Sequence, residues 1–403
     1  MTAAPTRAVM AALADGGGTA RFVGGCVRNS LLGRPVDDID IATTLQPDAT
    51  MAALQAAGIK AIATGIEHGT VTAVAGRKHF EITTLRRDAE TFGRKARVEY
   101  TDDWEEDAAR RDFTFNALYC DADGALYDPF EGRADLKAGR VRFVGSPSAR
   151  LQEDYLRAFR YFRFLAWYGR PPPDEAAIDA IALAAPHLDG LSGERVQKEM
   201  LRLLEAEDPT AAAALMHTQG VLVHWLPESD NATRLPALLR IERANGLAPD
   251  AVRRLAALLA DDIDVGALAV RWRFSRAMRA RLEAAVAEQP RVVDLGGKAM
   301  RALVYRLGNQ TATDRLVLHA ARAGIGAAHP ALAAGLAIAR DWQAPKLPVA
   351  GADALELGVA AGVDVGRLLD TVEEWWIAGD FAADRSACLA ELKRAWAQDK
   401  DRR

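Results

Sequence analysis

Little in this chain would staple it or anchor it to a membrane. Its three cysteines, Cys26, Cys120 and Cys388, lie far apart and fit neither a disulfide framework nor a zinc-ligand spacing, so they read as buried or incidental thiols. No apolar run is long enough to span a bilayer. The opening MTAAPTRAVMAALADGGG holds one arginine and an alanine-rich stretch, and its Asp15 and helical spacing fit a capping helix better than a signal peptide. A cytoplasmic protein is expected, with no membrane and no protein partner implied. A basic excess is also missing. Lys and Arg total 51 against 55 Asp and Glu, a formal net charge of -4. That excludes a nonspecific nucleic-acid coat and confines any RNA contact to local basic patches. With 403 residues, half of them hydrophobic, the chain has enough length for two or three domains and a large core.

The most informative stretch is Arg21 to Thr44, RFVGGCVRNSLLGRPVDDIDIATT. Arg21-Phe22-Val23 reads as a short buried strand, Gly24-Gly25 as a tight turn, and Cys26 to Leu32 as a helix whose open N-terminal amides can bind an anion. Glycine lets those amides approach a phosphate closely, Gly25 in particular, and Arg28 in the first helical turn can add a bidentate contact. The segment from Val36 to Thr43 alternates apolar and polar residues as a half-buried strand does. Asp38 and Asp40, two apart, then project from one face while Ile39 and Ile41 face the core. Two adjacent carboxylates repel each other, and a hard divalent cation relieves that repulsion, so a Mg2+ pair is expected there. A copy of the tetrapeptide, Asp261-Asp262-Ile263-Asp264, has no glycine turn or helix-start arginine before it and reads as an N-cap and linker.

Only the order of glycine pair, arginine and strand-borne DxD is specific. In GGCVRNSLLGRPVDDIDIATT it resembles the first motif of the class II tRNA nucleotidyltransferase and bacterial poly(A) polymerase family. The family usually has aspartate where this sequence has Asn29, which keeps the size and hydrogen-bonding capacity but loses the charge. RRDFTFNAL resembles the second family motif, and DPFEGRADL the segment joining head to neck. The resemblance implies that Arg111 binds the triphosphate and that Asn116 helps hold the site. TGIEHGTVT followed by FEITTLR resembles the members that add CCA to tRNA, and the basic signature of the bacterial poly(A) polymerases is not apparent. Within TGIEHGTVT, His68 sits in a Gly-bounded turn and reads as structural. Glu81 is placed to face the Asp38 and Asp40 pair as a third carboxylate. No His-Asp dipeptide occurs, which removes the metal phosphohydrolase domain of some relatives.

Between these motifs the spacing predicts a helix over Asp48 to Ala57, a short strand over Lys60 to Ile62, and a hairpin of Thr70 to Ala75 and His79 to Leu85 around Gly76-Arg77. Arg86 to Asp103 dissolves into a charged loop, expected to be mobile and to act in switching from CTP to ATP. From residue 146 onward the pattern is helical. In LQEDYLRAFRYFRFLAWYG, Leu156, Phe159, Phe162 and Leu165 or Ala166 give a buried stripe, while Asp154 and Arg157, one turn apart, are expected to be neighbours on the surface. Arg160 and Arg163 follow at the same spacing, and the segment resembles the family's base-reading motif. The chemistry agrees. Cytosine and adenine share an exocyclic amino group beside an unprotonated ring nitrogen, so a carboxylate and a guanidinium select both and reject uracil and guanine. LSGERVQKEMLRLLEAEDP resembles the neck helix supporting that pocket, with Glu194 and Arg195 as contacts. Further on, RWRFSRAMRARL sets Arg271, Arg273, Arg276, Arg279 and Arg281 among aromatics, a candidate for tRNA backbone contact.

The expected architecture is therefore α+β: a polymerase-beta-like nucleotidyltransferase head over residues 1–145, a helical neck over 146–227 for base recognition, and a helical body and tail over 228–403 for tRNA binding. The resemblance implies template-independent addition of CCA, from CTP and ATP, to the tRNA 3′ end with release of pyrophosphate. Asp38 and Asp40 would hold two Mg2+ ions, and Gly25, Arg28, Arg111, Asp154, Arg157, Arg160 and Arg163 would bind the nucleotide. The alternatives are a poly(A) polymerase, a CC-only or A-only adding enzyme and, from another class, a non-catalytic RNA-binding module. The last has no need of both aspartates, Arg28 and Arg111.

Overall fold

In the computed structural model, residues 1–88, 98–229, 234–287 and 296–402 are described. The chain divides into two compact units, Met1–Pro227 and Glu228–Arg403, so the segments expected as head and neck lie within one unit.

The first unit opens on helix α1 (Ala4–Asp15), which starts at a proline in its first turn and buries Val9, Met10 and Leu13. Strand β1 (Ala20–Val23) runs into Gly24, whose φ of 70° and ψ of -124° suit a residue without a Cβ, and the chain turns at once into α2 (Gly25–Leu31). Then come β2 (Ile39–Thr43), α3 (Pro47–Ala56), β3 (Lys60–Gly65), β4 (Thr70–Ala75) and β5 (Lys78–Thr84). A two-stranded ribbon of β6 (Arg86–Asp88) and β7 (Val98–Tyr100) follows. Next are α4 (Trp104–Ala109), β8 (Tyr119–Cys120), β9 (Leu126–Tyr127) and α5 (Gly132–Ala138). Among the described residues, seven strands form one sheet in the order β3-β4-β5-β2-β1-β8-β9. Only β2 and β5 pair in parallel. Apolar alternation places Phe22, Ile39, Ile41, Val71, Phe80 and Ile82 in its core.

Two expectations for this unit change. Strand β2 begins at Ile39, whose partner Phe80 is its first in the ladder, so Val36 to Asp38 have no pairing strand and Asp38 is exposed ahead of the sheet. The segment from Arg86 to Asp103 is a loop only in part. Its ends pair as β6 and β7, Asp103 caps α4 by accepting from the Glu105 amide at 2.8 Å, and residues 89–97 lie outside the described residues. The Thr70–Ala75 hairpin with its Gly76-Arg77 turn forms as expected, both turn residues taking positive φ.

The helical part of this unit contains α6 (Pro147–Glu153), α7 (Arg157–Tyr168), α8 (Glu175–Ala184) and α9 (Gly193–Leu204). The expected stripe is there, with Leu156, Phe159 and Phe162 buried, and Phe164 and Tyr161 join it against Phe113. All three cysteines are buried and free. No helix among the described residues is long and apolar enough to cross a membrane.

Among its described residues the second unit is helical, with an isolated bridge between Ser229 and Leu259. Asp264 caps the helix Val265–Trp272 by accepting from the Ala267 amide at 3.0 Å, as its sequence context implied. A buried ionic network joins Glu242 to Arg253 and Arg254, and Arg253 to Asp314. This network corrects the expectation for the arginine-rich stretch. Arg281 turns inward to Asp314 at 2.7 Å and Asp250 at 2.8 Å, Arg271 pairs with Glu228, and Arg279 pairs with Glu283. Of the five, Arg273 and Arg276 are exposed and no ion pair holds them among the described residues.

Candidate active site

The floor of the site is the β1–Gly24–α2 turn. The Gly24 amide donates to the Leu118 carbonyl at 3.1 Å, tying the turn to the strand-like stretch before β8, and α2 leaves its first amides without intrahelical partners. Arg28, one turn in, is only 8% exposed. Its guanidinium donates to Asn116 Oδ1 at 2.5 Å and to Asn29 Oδ1 at 3.2 and 3.1 Å, and lies 4.4 Å from the Tyr168 ring centroid. Among the described residues no carboxylate forms an ion pair with it. Burial lowers its pKa from the usual arginine value, yet an arginine so lowered is still charged at neutral pH. Asn29 is therefore a neutral clamp. Its oxygen also accepts from the Tyr168 hydroxyl at 3.2 Å while its amide donates to the Pro35 carbonyl at 3.2 Å.

Asp40 lies in β2 between buried Ile39 and Ile41, in parallel register with Glu81 of β5. Burial raises its carboxyl above the usual range, the charges of Glu81 and Asp38 add to the rise, and Arg111 and Arg28 oppose it. Two hard oxygen donors with uncompensated negative charge suit a divalent cation. Among the described residues, however, no group of three or more His, Cys, Asp or Glu side chains is placed to hold a metal. Glu81 thus sits next to Asp40 without completing such a cluster. Asp37 and Asp38 are exposed. His68 ends a short helical turn at the surface, 4.0 Å from Glu67.

One wall comes from α4 and the turn after it. Asp107, with a side chain 1% exposed, accepts from Arg111 Nη2 at 3.0 Å, Arg110 Nη2 at 2.6 Å and the Tyr119 hydroxyl at 2.6 Å, and Arg111 Nε donates to Tyr119 at 3.1 Å. Burial alone would raise the Asp107 carboxyl, but the charges of Arg111 and Arg110 and the tyrosine bond bring it down to about 2. Asp112 accepts from Asn116 Nδ2 at 2.9 Å and from Arg160. Its carboxyl is held below the usual range although burial opposes this, because the Arg160 charge and the Asn116 bond prevail. Neither Asp107 nor Asp112 stands out as a site residue in the sequence. The i,i+3 and i,i+4 spacing of Asp107 to Arg110 and Arg111 is the signal that was available.

The opposite wall corrects the expected helix. Asp154 does not continue α6. Its backbone is extended, with φ -156° and ψ 104°, and its Oδ1 accepts from the Leu156 amide at 3.1 Å. Short polar side chains compete with the helix in this way. Asp154 and Arg157 are therefore not an ion pair. Asp154 accepts from Arg195 at 2.6 Å. Arg157 donates to the carbonyls of Arg150 at 2.8 Å and Arg110 at 3.2 Å and pairs with Glu153. Arg163 pairs with buried Glu199 at 2.7 Å, and Arg160 reaches the same carboxylate at 3.5 Å. Burial raises Arg163's cost of charge and lowers its pKa, with Glu199 opposing. Glu199, absent from the sequence expectation, supports the arginines, whereas Glu194 is exposed.

These walls enclose a cavity of about 510 Å³ whose lining includes Gly24, Gly25, Asp40, Asn116 and Asp154 together with seven arginines, Arg28, Arg110, Arg111, Arg157, Arg160, Arg163 and Arg195. Three aspartates also line it, and Asp107, Glu153 and Glu199 pair with five of the arginines from behind the lining. Arg28, which has no ion pair among the described residues, leaves the cavity with a positive side that suits an anion. Asp38 does not line it. It lines an adjoining cavity that shares Arg28, Arg163 and Phe164.

Comparison with known proteins bears on the family and the fold. Residues 20–142 match the family model of the poly A polymerase head domain, and residues 173–233 match the probable RNA and SrmB-binding site of polymerase A. The chain is 33% identical to the mitochondrial CCA tRNA nucleotidyltransferase 1 of Mus musculus, covering 93% of this chain and 86% of that protein. It is 30% identical to the CCA-adding enzyme of Limosilactobacillus fermentum, covering 96% and 95%. Among solved structures, the CCA-adding enzyme of Bacillus stearothermophilus in complex with CTP superposes with a TM-score of 0.78 at 28% identity, covering 98% of each chain.

Proposed function

The chain belongs to the CCA-adding tRNA nucleotidyltransferase family, and from that premise we propose that it completes the 3′ end of tRNA with CCA, drawing on CTP and ATP and releasing pyrophosphate. The observation that supports a nucleotide in the first cavity best is Arg28, a buried guanidinium whose hydrogen-bond partners are neutral amide oxygens and which faces a cavity rich in further arginines. A buried cation without a carboxylate is costly unless an anion completes it.

The nucleotide lies along α7. Its phosphates rest on the open α2 amides at Gly25, on Arg28 and on Arg111, and its base meets Asp154 and Arg157 at the other end. Arg157 uses part of its five-donor fork on main-chain carbonyls, which fixes the plane and leaves N-H groups for a base edge. Asp154 is held by Arg195 and its own turn and keeps acceptor capacity for an exocyclic amino group. The pair reads cytosine and adenine alike, and Arg160 and Arg163, braced by Asp112 and Glu199, keep the base from sliding. Asp38 and Asp40 would hold Mg2+, which when bound supplies Lewis-acid activation of the attacking hydroxyl and neutralises the leaving group. Around that centre the side chains orient the α-phosphate for in-line attack by the tRNA 3′-hydroxyl, so catalysis is chiefly positioning and electrostatics. The head 1–145, neck 146–227 and body 228–403 divide this work, the last offering Arg273 and Arg276 to the tRNA backbone.

The test is to incubate the protein with tRNA lacking its 3′ end and each nucleoside triphosphate in turn. Two cytidines from CTP and one adenosine only after them support the proposal. Addition of CC or A alone, or a long adenosine tail on generic RNA, replaces it with one of its relatives' activities.

A further inference from the structure

The adjoining cavity, about 450 Å³, carries four arginines, Arg28, Arg34, Arg163 and Arg202, against Asp37 and Asp38. Its position follows from α7, which rises about 1.5 Å per residue. Arg157 stands at the start of that helix in the first cavity, Arg163 and Phe164 are shared, and Trp167 and Tyr168 at its end belong to the second cavity alone. From Arg157 to Tyr168 is roughly 16 Å along the helix. The second cavity therefore continues from the phosphate end of the first, beyond Arg28.

Two of its three aromatic rings, Tyr168 and Phe164, are already covered by guanidinium groups. The Tyr168 ring already carries Arg28 at 4.4 Å and Arg34 at 4.8 Å, and the Phe164 ring carries Arg163 at 4.2 Å and Arg28 at 5.2 Å. A guanidinium lying on a ring turns its N-H edge outward, the geometry that grips phosphate oxygens. Arg34 is exposed, and among the described residues its side chain donates to the Trp167 carbonyl at 3.1 Å. So the cavity presents donor edges to a small, highly charged anion that has left the phosphate end of the nucleotide.

We infer that this second cavity is the departure site for inorganic pyrophosphate, with Arg34 as its outer ligand, an assignment that depends on the nucleotide lying in the first cavity as proposed. Pyrophosphate freed by attack at the α-phosphate moves past Arg28 and is held between Arg34 and Arg28 before release. Rebinding by the same path starts pyrophosphorolysis.

The experiment measures inhibition of CTP incorporation by added pyrophosphate, and pyrophosphorolysis of CCA-ended tRNA, in the parent, in Arg34→Gln and in Arg202→Gln. For Arg34→Gln the inhibition constant for pyrophosphate, and the pyrophosphate concentration that half-saturates the reverse reaction, should rise about tenfold, one charge-assisted hydrogen-bond pair. The KM values for CTP and tRNA should stay within about twofold of the parent. Arg202→Gln, whose arginine is already paired with Glu205 at 2.9 Å, should show a smaller shift in the same direction. Unchanged pyrophosphate inhibition in both variants overturns the assignment, and a raised KM for tRNA instead makes the cavity an acceptor-strand site. If the parent itself does not incorporate CTP, it is the proposed function that fails. A parent that incorporates CTP beside variants with parental pyrophosphate behaviour refutes this inference alone.

Discussion

Replacing Asp107 by Asn tests whether the wall that carries Arg111 is held electrostatically. The carboxylate is buried and is the common acceptor of Arg110, Arg111 and Tyr119. Its carboxyl stands at about 2 against an ordinary 3.8, which corresponds to about 2 kcal/mol of native-state preference for the charged form. Asparagine keeps the shape but leaves two arginines facing a neutral group, and breaking such a pair from one side costs about 3 kcal/mol. For a unit of this size that lowers Tm by roughly 6 to 12 °C. Arg111 also loses its anchor beside the place proposed for the triphosphate, and a displacement of about 1 Å there is enough to slow turnover about a hundredfold. The pH dependence has a definite sign. A depressed carboxyl stabilises the fold above its unfolded value, so the Asp107 contribution is complete above about pH 4 and disappears as pH falls toward 2. The parent should therefore lose stability over that window, and the variant should lose less. Thermal melts across pH with single-turnover CTP incorporation measure both effects. A variant with parental Tm and parental turnover would show that the network is ornamental.

Asp38→Asn or Asp40→Asn should lower turnover by orders of magnitude with tRNA binding intact, while Asp37→Asn should be tolerated far better, because the charge of Asp38, and not that of Asp37, is among the main ones acting on the Asp40 carboxyl. Equal losses at all three positions would contradict the division of roles. Arg273→Gln with Arg276→Gln should weaken tRNA binding and reduce its salt slope by about one per phosphate contact. Arg281→Gln should instead act on stability, by about 2 kcal/mol, since it strips one charged partner from buried Asp314 while Arg253 remains. Filter binding at several salt concentrations and thermal melts separate the two.

The parts of the site legible in the sequence are those whose chemistry is local. A glycine turn, a helix start and an arginine one turn in form one continuous piece, so the places of Gly25 and Arg28 could be read directly, and the two-residue period put Asp40 on β2. Asp38 was placed by the same period but falls ahead of the ladder, because the end of a strand depends on where its partners end, and those lie in β1 and β5. Asp154 defeated helical periodicity because its side chain bonds to its own backbone turn, a competition that spacing cannot reveal. Glu199 reaches Arg163 only through the packing of α9 on α7, and Arg281 finds its carboxylates on other helices. A stretch of arginines cannot show which of them face inward. The three cysteines are buried, as expected of thiols without a shared spacing.

The central claim, that protein side chains select the base while separate carboxylates serve the chemistry, is tested most directly by the double variant Asp154→Ala, Arg157→Ala. The Asp154 pair with Arg195 is half-exposed and worth about 1 kcal/mol or less, while Arg157, 15% exposed, also gives up its bonds to the Arg150 and Arg110 carbonyls at about 1 kcal/mol each, so thermal melts accompany the assay. Base discrimination should fall about ten- to a hundredfold per base edge. On tRNA lacking its 3′ end the variant should incorporate UTP and GTP measurably, at a reduced overall rate. Retention of strict cytidine and adenosine selectivity in a merely slower enzyme would contradict the account and place base selection in the RNA or elsewhere in the neck.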